Sequence, residues 1–330
     1  MYSEIFLTFY FCLGVIYGIP IEYKEVKGPL TPDFVRWLEQ NGYENYSFDR
    51  PDLGPTGSYG GRSTGKNSID NQPIVFVHGN SDGALAIPGN YSSGWTNSIS
   101  YFLEQGYTSA ELYATTWGDR NPDNAKYRSH TCEYLLYIRR FIEAVLKYTG
   151  APLIDIVTHS MGVTLTRRAI KGGTHFDLNG LHCKLGPSLT KSIDSFLGIS
   201  GANLGMCTCS GYGEDYAFPT CNLHNGFWPG NPCGNNKECG NFSGNCSPGS
   251  NYSKFLAKLN MDDTKEGNYV YSTWSKGDDI LMNQCQVYGR STSLILDSTD
   301  YKIYNNLTHM QTKELTAKDQ YMMIVLHVNT

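Results

Sequence analysis

Leu153-Ile-Asp-Ile-Val157, then Thr158-His159-Ser160-Met161-Gly162 and a run on to Lys171, is the stretch on which the reading of this chain turns. The apolar run after Pro152 predicts a buried strand over 153–157. Met161 to Lys171 predicts a helix with Arg167 and Arg168 on its outer face. Between them stands a serine at a sharp bend. A hydroxyl is a weak nucleophile unless it is held exposed beside a base, and a strand-to-helix turn does this when small residues let neighbouring chain pack against it. Gly162 fills the second of the two usual glycine positions of such a turn, and Thr158 replaces the first. The helix start also aims free backbone N–H groups, that of Met161 among them, at developing negative charge. A serine here could be a mere helix cap, but the buried strand before it, His159 and Gly162 favour Ser160 as a nucleophile.

Working outward, Ile74-Val-Phe-Val77 predicts another buried strand, followed by His78-Gly79-Asn80. A loop opened by Gly79 can deliver the N–H of Asn80 as the oxyanion partner of Met161, since acyl transfer needs two such donors. His78 reads as a histidine that holds the turn. An acid and then a base should follow the serine in chain order. Tyr269–Trp274 predicts a strand, and Ser275-Lys-Gly-Asp278-Asp279 the loop at its end; Asp278 is the preferred acid, with Asp279 in reserve. His309, in Asn306-Leu-Thr-His309, is the preferred base. His327 sits in an apolar run and reads as structural, while His175, His182 and His224 precede the acid. The chemistry of Ser160, Asp278 and His309, with Asn80 and Met161 as oxyanion donors, requires no metal or organic cofactor.

The flanking chain alternates short apolar strands with amphipathic segments. Thr31-Pro32-Asp33 opens a helix stopped near Gly42, and 51–66 reads as an irregular Gly/Ser/Pro-rich arm. Strands are expected at Glu111–Thr115, Phe196–Ile199 and near Leu294 or Ile303, with a helix over Cys132–Tyr148. Such alternation predicts an α/β domain with a mostly parallel sheet flanked by helices. From Asn203 to about Gly267 the rhythm breaks. That segment is rich in Gly, Asn, Ser and Cys and reads as a disulfide-stapled insert, with suspected exposed aromatics among Phe218, Phe227, Trp228 and Phe242.

The 330 residues suffice for one large domain, and a net charge of -5 without a basic run argues against nucleic acid as a partner. An apolar run from Ile5 to Ile16 is too short for an ordinary membrane span and suits a signal peptide over 1–18. The domain then covers 19–330, with no transmembrane segment in the mature chain. Six of the ten cysteines (Cys207, Cys209, Cys221, Cys233, Cys239, Cys246) crowd together, and sequons begin at Asn45, Asn90, Asn241, Asn245, Asn251 and Asn306. Both features fit a secreted, extracellular, disulfide-bonded glycoprotein better than a zinc site. Loss of Cys12 with the signal would leave an odd number of thiols.

Pro29-Leu-Thr-Pro-Asp-Phe34 with Trp37-Leu38, Gly57-Ser-Tyr-Gly-Gly-Arg62, Pro73-Ile-Val-Phe-Val-His-Gly-Asn80, Val157-Thr-His-Ser-Met-Gly162, Gly201-Ala-Asn-Leu204, Ser275-Lys-Gly-Asp278 and Leu307-Thr-His309 together resemble the class 2 triacylglycerol lipases, in particular the secreted set of nematodes. The hydrolase part is also similar to small bacterial lipases. The resemblance implies an α/β-hydrolase fold and action on acylglycerols, a lipid or small ester being the partner, with transient contact at a lipid interface. It carries the acid to Asp278. Thr158 and the long cysteine-rich insert depart from the bacterial pattern, and the insert could cover the site as a lid. An esterase or phospholipase for another ester, and a catalytically inactive binding protein on the same fold, remain the competing readings.

Overall fold

Short β-branched and aromatic runs that are apolar on both faces become the strands at the centre of this molecule. The computed structural model describes residues 26–64, 68–88, 92–214, 217–230 and 252–329. The expected signal segment 1–18, the sequons at Asn90, Asn241, Asn245 and Asn251, Phe242, and Cys233, Cys239 and Cys246 lie outside the described residues.

In chain order the strands are β1 (Ser58–Tyr59), β2 (Ile74–Val77), β3 (Leu112–Thr115), β4 (Ile154–His159), β5 (Gly173–Phe176), β6 (His182–Gly186), β7 (Ile193–Ile199), β8 (Tyr269–Ser275), β9 (Gln286–Val287), β10 (Arg290–Ser291) and β11 (Asp300–Tyr304). The α-helices are α1 (Pro32–Gln40), α2 (Thr96–Glu104), α3 (Cys132–Thr149), α4 (Met161–Lys171), α5 (Lys254–Met261), α6 (Gln311–Glu314) and α7 (Ala317–Leu326). Among the described residues the main sheet runs β1-β3-β2-β4-β7-β8-β11. Every neighbouring pair is parallel except β1 with β3. One core cluster packs α1, α3 and α4 on one face of the sheet, and a second packs α2 and α7 on the other. This is the α/β-hydrolase architecture, and its parallel order brings the loops after β2, β4, β8 and β11 to one edge.

Local chemistry explains the ends of the helices. Thr31 Oγ1 accepts the Phe34 N–H at the start of α1, and Gly150, at φ 68°, closes α3. Phe34 stacks on Tyr148 with ring centroids 4.3 Å apart, which ties α1 to α3.

The structure corrects several expectations. The arm at 51–66 supplies an edge strand, since Ser58 and Tyr59 pair with Thr115 and Ala114. Gly60 permits this approach, because a Cβ there would meet Leu112 O at 2.3 Å. Of the two candidates for the last strand, the Ile303 stretch forms β11. Arg167 and Arg168 do not face solvent: all of α4 is buried, because the β5–β6 hairpin and α5 cover what would be its outer face. Arg167 donates to Glu266 Oε1 at 2.8 Å, to Asn203 Oδ1 at 2.8 Å and to Asn260 Oδ1 at 3.1 Å. These contacts fasten both ends of the insert to α4. Within the insert Cys209 bonds Cys221, and outside it Cys132 bonds Cys183, joining α3 to the hairpin. Phe227 is buried, and Phe218 and Trp228 are half-buried. Cys285 is a free, buried thiol. No helix among the described residues is long and apolar enough to cross a membrane.

Candidate active site

Ser160 stands between β4 and α4 with φ 55° and ψ -128°, a backbone conformation that an L-residue adopts at a cost and that throws its side chain out of the bend. Two glycines make the bend possible. A Cβ on Gly79 would lie 2.6 Å from Ser160 Cβ, and one on Gly162 would lie 2.4 Å from His78 O, so the loop after β2 packs directly against the turn. Thr158 fits the first motif position because it still lies in β4, where its Oγ1 donates to Leu197 O of β7 at 2.8 Å.

The loop after β2 is tightly specified. His78 is buried; its Nδ1–H donates to Gly79 O at 2.7 Å, and its Nε2 accepts the Trp117 N–H at 3.0 Å. Burial pushes this imidazole down to a pKa of about 3, so it stays neutral and holds the turn, as its position suggested. Because a trans peptide points its C=O and N–H in opposite directions, pinning Gly79 O also sets the direction of the Asn80 N–H. The Asn80 side chain is clamped from the other end, donating to Ala125 O at 2.9 Å and accepting from Arg128 at 2.7 Å. Among the described residues the backbone N–H groups of Asn80 and Met161 have no protein acceptor.

The loops after β8 and β11 meet at the same edge. His309 Nδ1 donates to Asp278 Oδ2 at 2.7 Å, with both side chains nearly buried. Burial alone would raise the Asp278 pKa. The imidazole and the N–H groups of Leu281 and Ile280 outweigh it and hold the carboxyl below its usual range. Asp279 does not reach the ring; its Oδ1 accepts the His309 backbone N–H at 2.8 Å. His159 Nε2–H donates to His309 O at 3.0 Å, and burial drives its pKa well below normal, so a neutral ring flanks His309. His327 caps α7 and stacks on Tyr269 at 3.9 Å.

Asn80, Ser160, Met161 and His309 line one cavity of about 670 Å³. Its remaining walls are mostly apolar: Pro122, Ala125, Ala202, Ile280 and Met310, with Met206 and Phe227 from the insert. The volume lies within the ordinary range for small-molecule sites. Apart from Phe227, singled out as an aromatic of the insert, nothing in the sequence marked these wall residues, because their proximity depends on loops far apart in the chain. Equally hidden was the buried pair of Lys313 and Asp82, 2.5 Å apart, which ties the helical turn after His309 to the loop of Asn80. Among the described residues no group of three or more His, Cys, Asp or Glu is arranged to hold a metal ion.

Comparison with known proteins bears on the fold and the family. The fold is similar to that of lipase B from Aspergillus fumigatus, with 13% identity and a TM-score of 0.50 over 83% of this chain; the chain spans 56% of the length of that enzyme. A monoacylglycerol lipase of Paleococcus ferrophilus aligns with 12% identity and a TM-score of 0.43, over 82% of this chain and 98% of its own. At 13% identity the first likeness concerns the fold alone. The sequence profile of the family described as Lipase (class 2) matches residues 71–322, a span that runs from just before β2 into α7 and takes in every loop of the cavity edge. The chain therefore belongs to the class 2 lipases, a family of carboxylic ester hydrolases on the α/β-hydrolase fold.

Proposed function

We propose that this protein is a secreted serine hydrolase that cleaves carboxylic esters, acylglycerol lipids foremost, through an acyl-enzyme on Ser160. The observation that carries the reading is the Asp278–His309 pair, 2.7 Å across, whose histidine lines one largely apolar cavity with a serine at φ 55°. As Ser160 Oγ attacks the ester carbonyl carbon, His309 Nε2 takes its proton. Asp278 fixes the tautomer that leaves Nε2 free and stabilises the imidazolium. The N–H groups of Asn80 and Met161 hold the oxyanion; the lack of a protein acceptor for either among the described residues supports that role. The tetrahedral intermediate expels the alcohol, which leaves with the proton from His309. Water, deprotonated by the same imidazole, then releases the acid.

The apolar walls suit an acyl chain, and Met206, Thr220 and Phe227 bring the insert over the cavity, which supports a lipid-sized substrate over a polar one. Secretion draws support from the two disulfides among the described residues and from the exposure of both described sequon asparagines, Asn45 and Asn306.

The test is hydrolysis of p-nitrophenyl esters of short and long acyl chains by the protein expressed under oxidising conditions, with Ser160→Ala alongside. We expect kcat to drop by about 10⁴ to 10⁶ in the variant. A preference for long chains is expected of a lipase. A folded wild type without turnover, or a variant as active as its parent, would sink the reading.

A further inference from the structure

A second cavity, of about 240 Å³, opens between the β5–β6 hairpin and α5, and it shares no lining residue with the cavity of Ser160. Three cations line it: Arg168, Lys254 and Lys258. Arg168 reaches it from α4 and is only 6% exposed, yet it donates a single hydrogen bond to protein among the described residues, to Thr174 O at 2.7 Å. Lys254 and Lys258 are exposed and one helical turn apart, so they overhang the same side of α5. Neither has a carboxylate partner among the described residues.

One carboxylate, that of Asp177, also lines the cleft, and its Oδ1 is engaged on the side of the hairpin and α3. Asp177 Oδ1 accepts the Cys132 N–H at 2.8 Å and lies 3.4 Å from His175 Nε2. Asp262 attracts Arg168 at a distance but sits 3.7 Å from Lys171 instead. Burial keeps His175 and His224 below the usual imidazole pKa, so they add no charge at neutral pH. The apolar part of the wall comes from Phe176, Leu178, Phe255 and Leu259. At the hairpin edge Phe176 is 61% and Leu181 64% exposed. A bare anion would leave those walls unused, and a neutral lipid would leave the buried guanidinium without countercharge.

We propose that this cleft binds a single-chain amphiphilic anion, a fatty carboxylate or an acyl-chain phosphate. The head sits on Arg168 beneath Lys254 and Lys258, the first methylenes lie against Phe255 and Leu259, and the rest of the chain runs out over Phe176 and Leu181. The inference stands on the cleft itself, independently of ester hydrolysis at Ser160.

The experiment is photo-crosslinking of the full secreted protein with a diazirine analogue of dodecanoic acid below its micelle concentration, followed by peptide mapping. Label is expected in residues 173–186 and 252–261. It should be displaced by dodecanoate or dodecyl phosphate and not by dodecanol, propionate or inorganic phosphate. Displacement by dodecanoate at lower concentration than dodecyl phosphate assigns a carboxylate head, and the reverse order a phosphate head. In Lys254→Glu/Lys258→Glu, both surface changes, label there should drop about tenfold or more while label in the Ser160 cavity is retained. Dodecanol displacing as well as the acid, inorganic phosphate displacing as well as the amphiphile, or label confined to the Ser160 cavity would overturn the proposal. The competition arms use the wild-type protein and so do not depend on the variant folding.

Discussion

At the scale of single residues, the site rests on which atom of each group is already committed. Asp278 meets the His309 ring and Asp279 meets its backbone N–H, so the adjacent carboxylates differ in what they hold. Asp278→Asn keeps the shape but can favour the wrong imidazole tautomer, and we expect kcat to drop by about 10⁴. Asp279→Asn retains an oxygen acceptor for the same N–H and should cost far less. Steady-state kinetics of the two variants decides this, and equal losses would contradict the assignment. The positions of Ser160, Asp278 and His309 were legible because a strand-turn-helix signature and chain order constrain them locally. Which aspartate faces the ring was a matter of side-chain direction, to which the sequence is blind. His159 was hidden in the same way: its hydrogen bond to the carbonyl of His309 spans 150 positions.

At the scale of elements, α4 shows where pattern reading misleads. The two adjacent arginines read as an outer face, and would form one in a bare three-layer sandwich. Here the hairpin and the insert form a further cover, and the cations serve as buried partners: Arg167 for Glu266, and Lys171 for the same carboxylate at 3.5 Å. Breaking a buried pair strands a charge. Arg167→Met should therefore destabilise by about 3 kcal/mol, at the low end for such pairs because Lys171 still faces Glu266. Urea denaturation measures it, and Arg167→Met/Glu266→Gln should recover part of the loss. A variant as stable as wild type would show that the insert is not fastened at this point. The helices α2, α6 and α7 and the β5–β6 hairpin had no expectation attached to them. Each is short or weakly patterned, and packing against the sheet decides its form.

At the scale of the whole molecule, the parallel sheet was readable from its alternating rhythm, but its inner polar groups were not. Asp155 lies on β4 at the end opposite Ser160, where its Oδ1 accepts from Gln72 at 2.8 Å and from the Ser195 N–H at 2.9 Å. Burial raises its pKa to about 7 from 3.8. Between those values the unfolded carboxyl is ionised while the folded one holds its proton, so this group's contribution to stability declines as pH rises through the window. Asp155→Asn keeps an acceptor and carries no charge. It should match wild type near the lower value and be the more stable protein at pH 8, as thermal unfolding across that range would show. Parallel curves for the two proteins would refute this. The anchoring of the insert has a consequence of another kind. Because Asn203 and Glu266 grip the same guanidinium, the ends of the segment are already close together, and lengthening the chain between them costs only about 0.6 kcal/mol per doubling. Those stretches of the segment that neither cover α4 nor wall the cavity are thus open to lengthening by drift or by engineering while the fold beneath them keeps its shape.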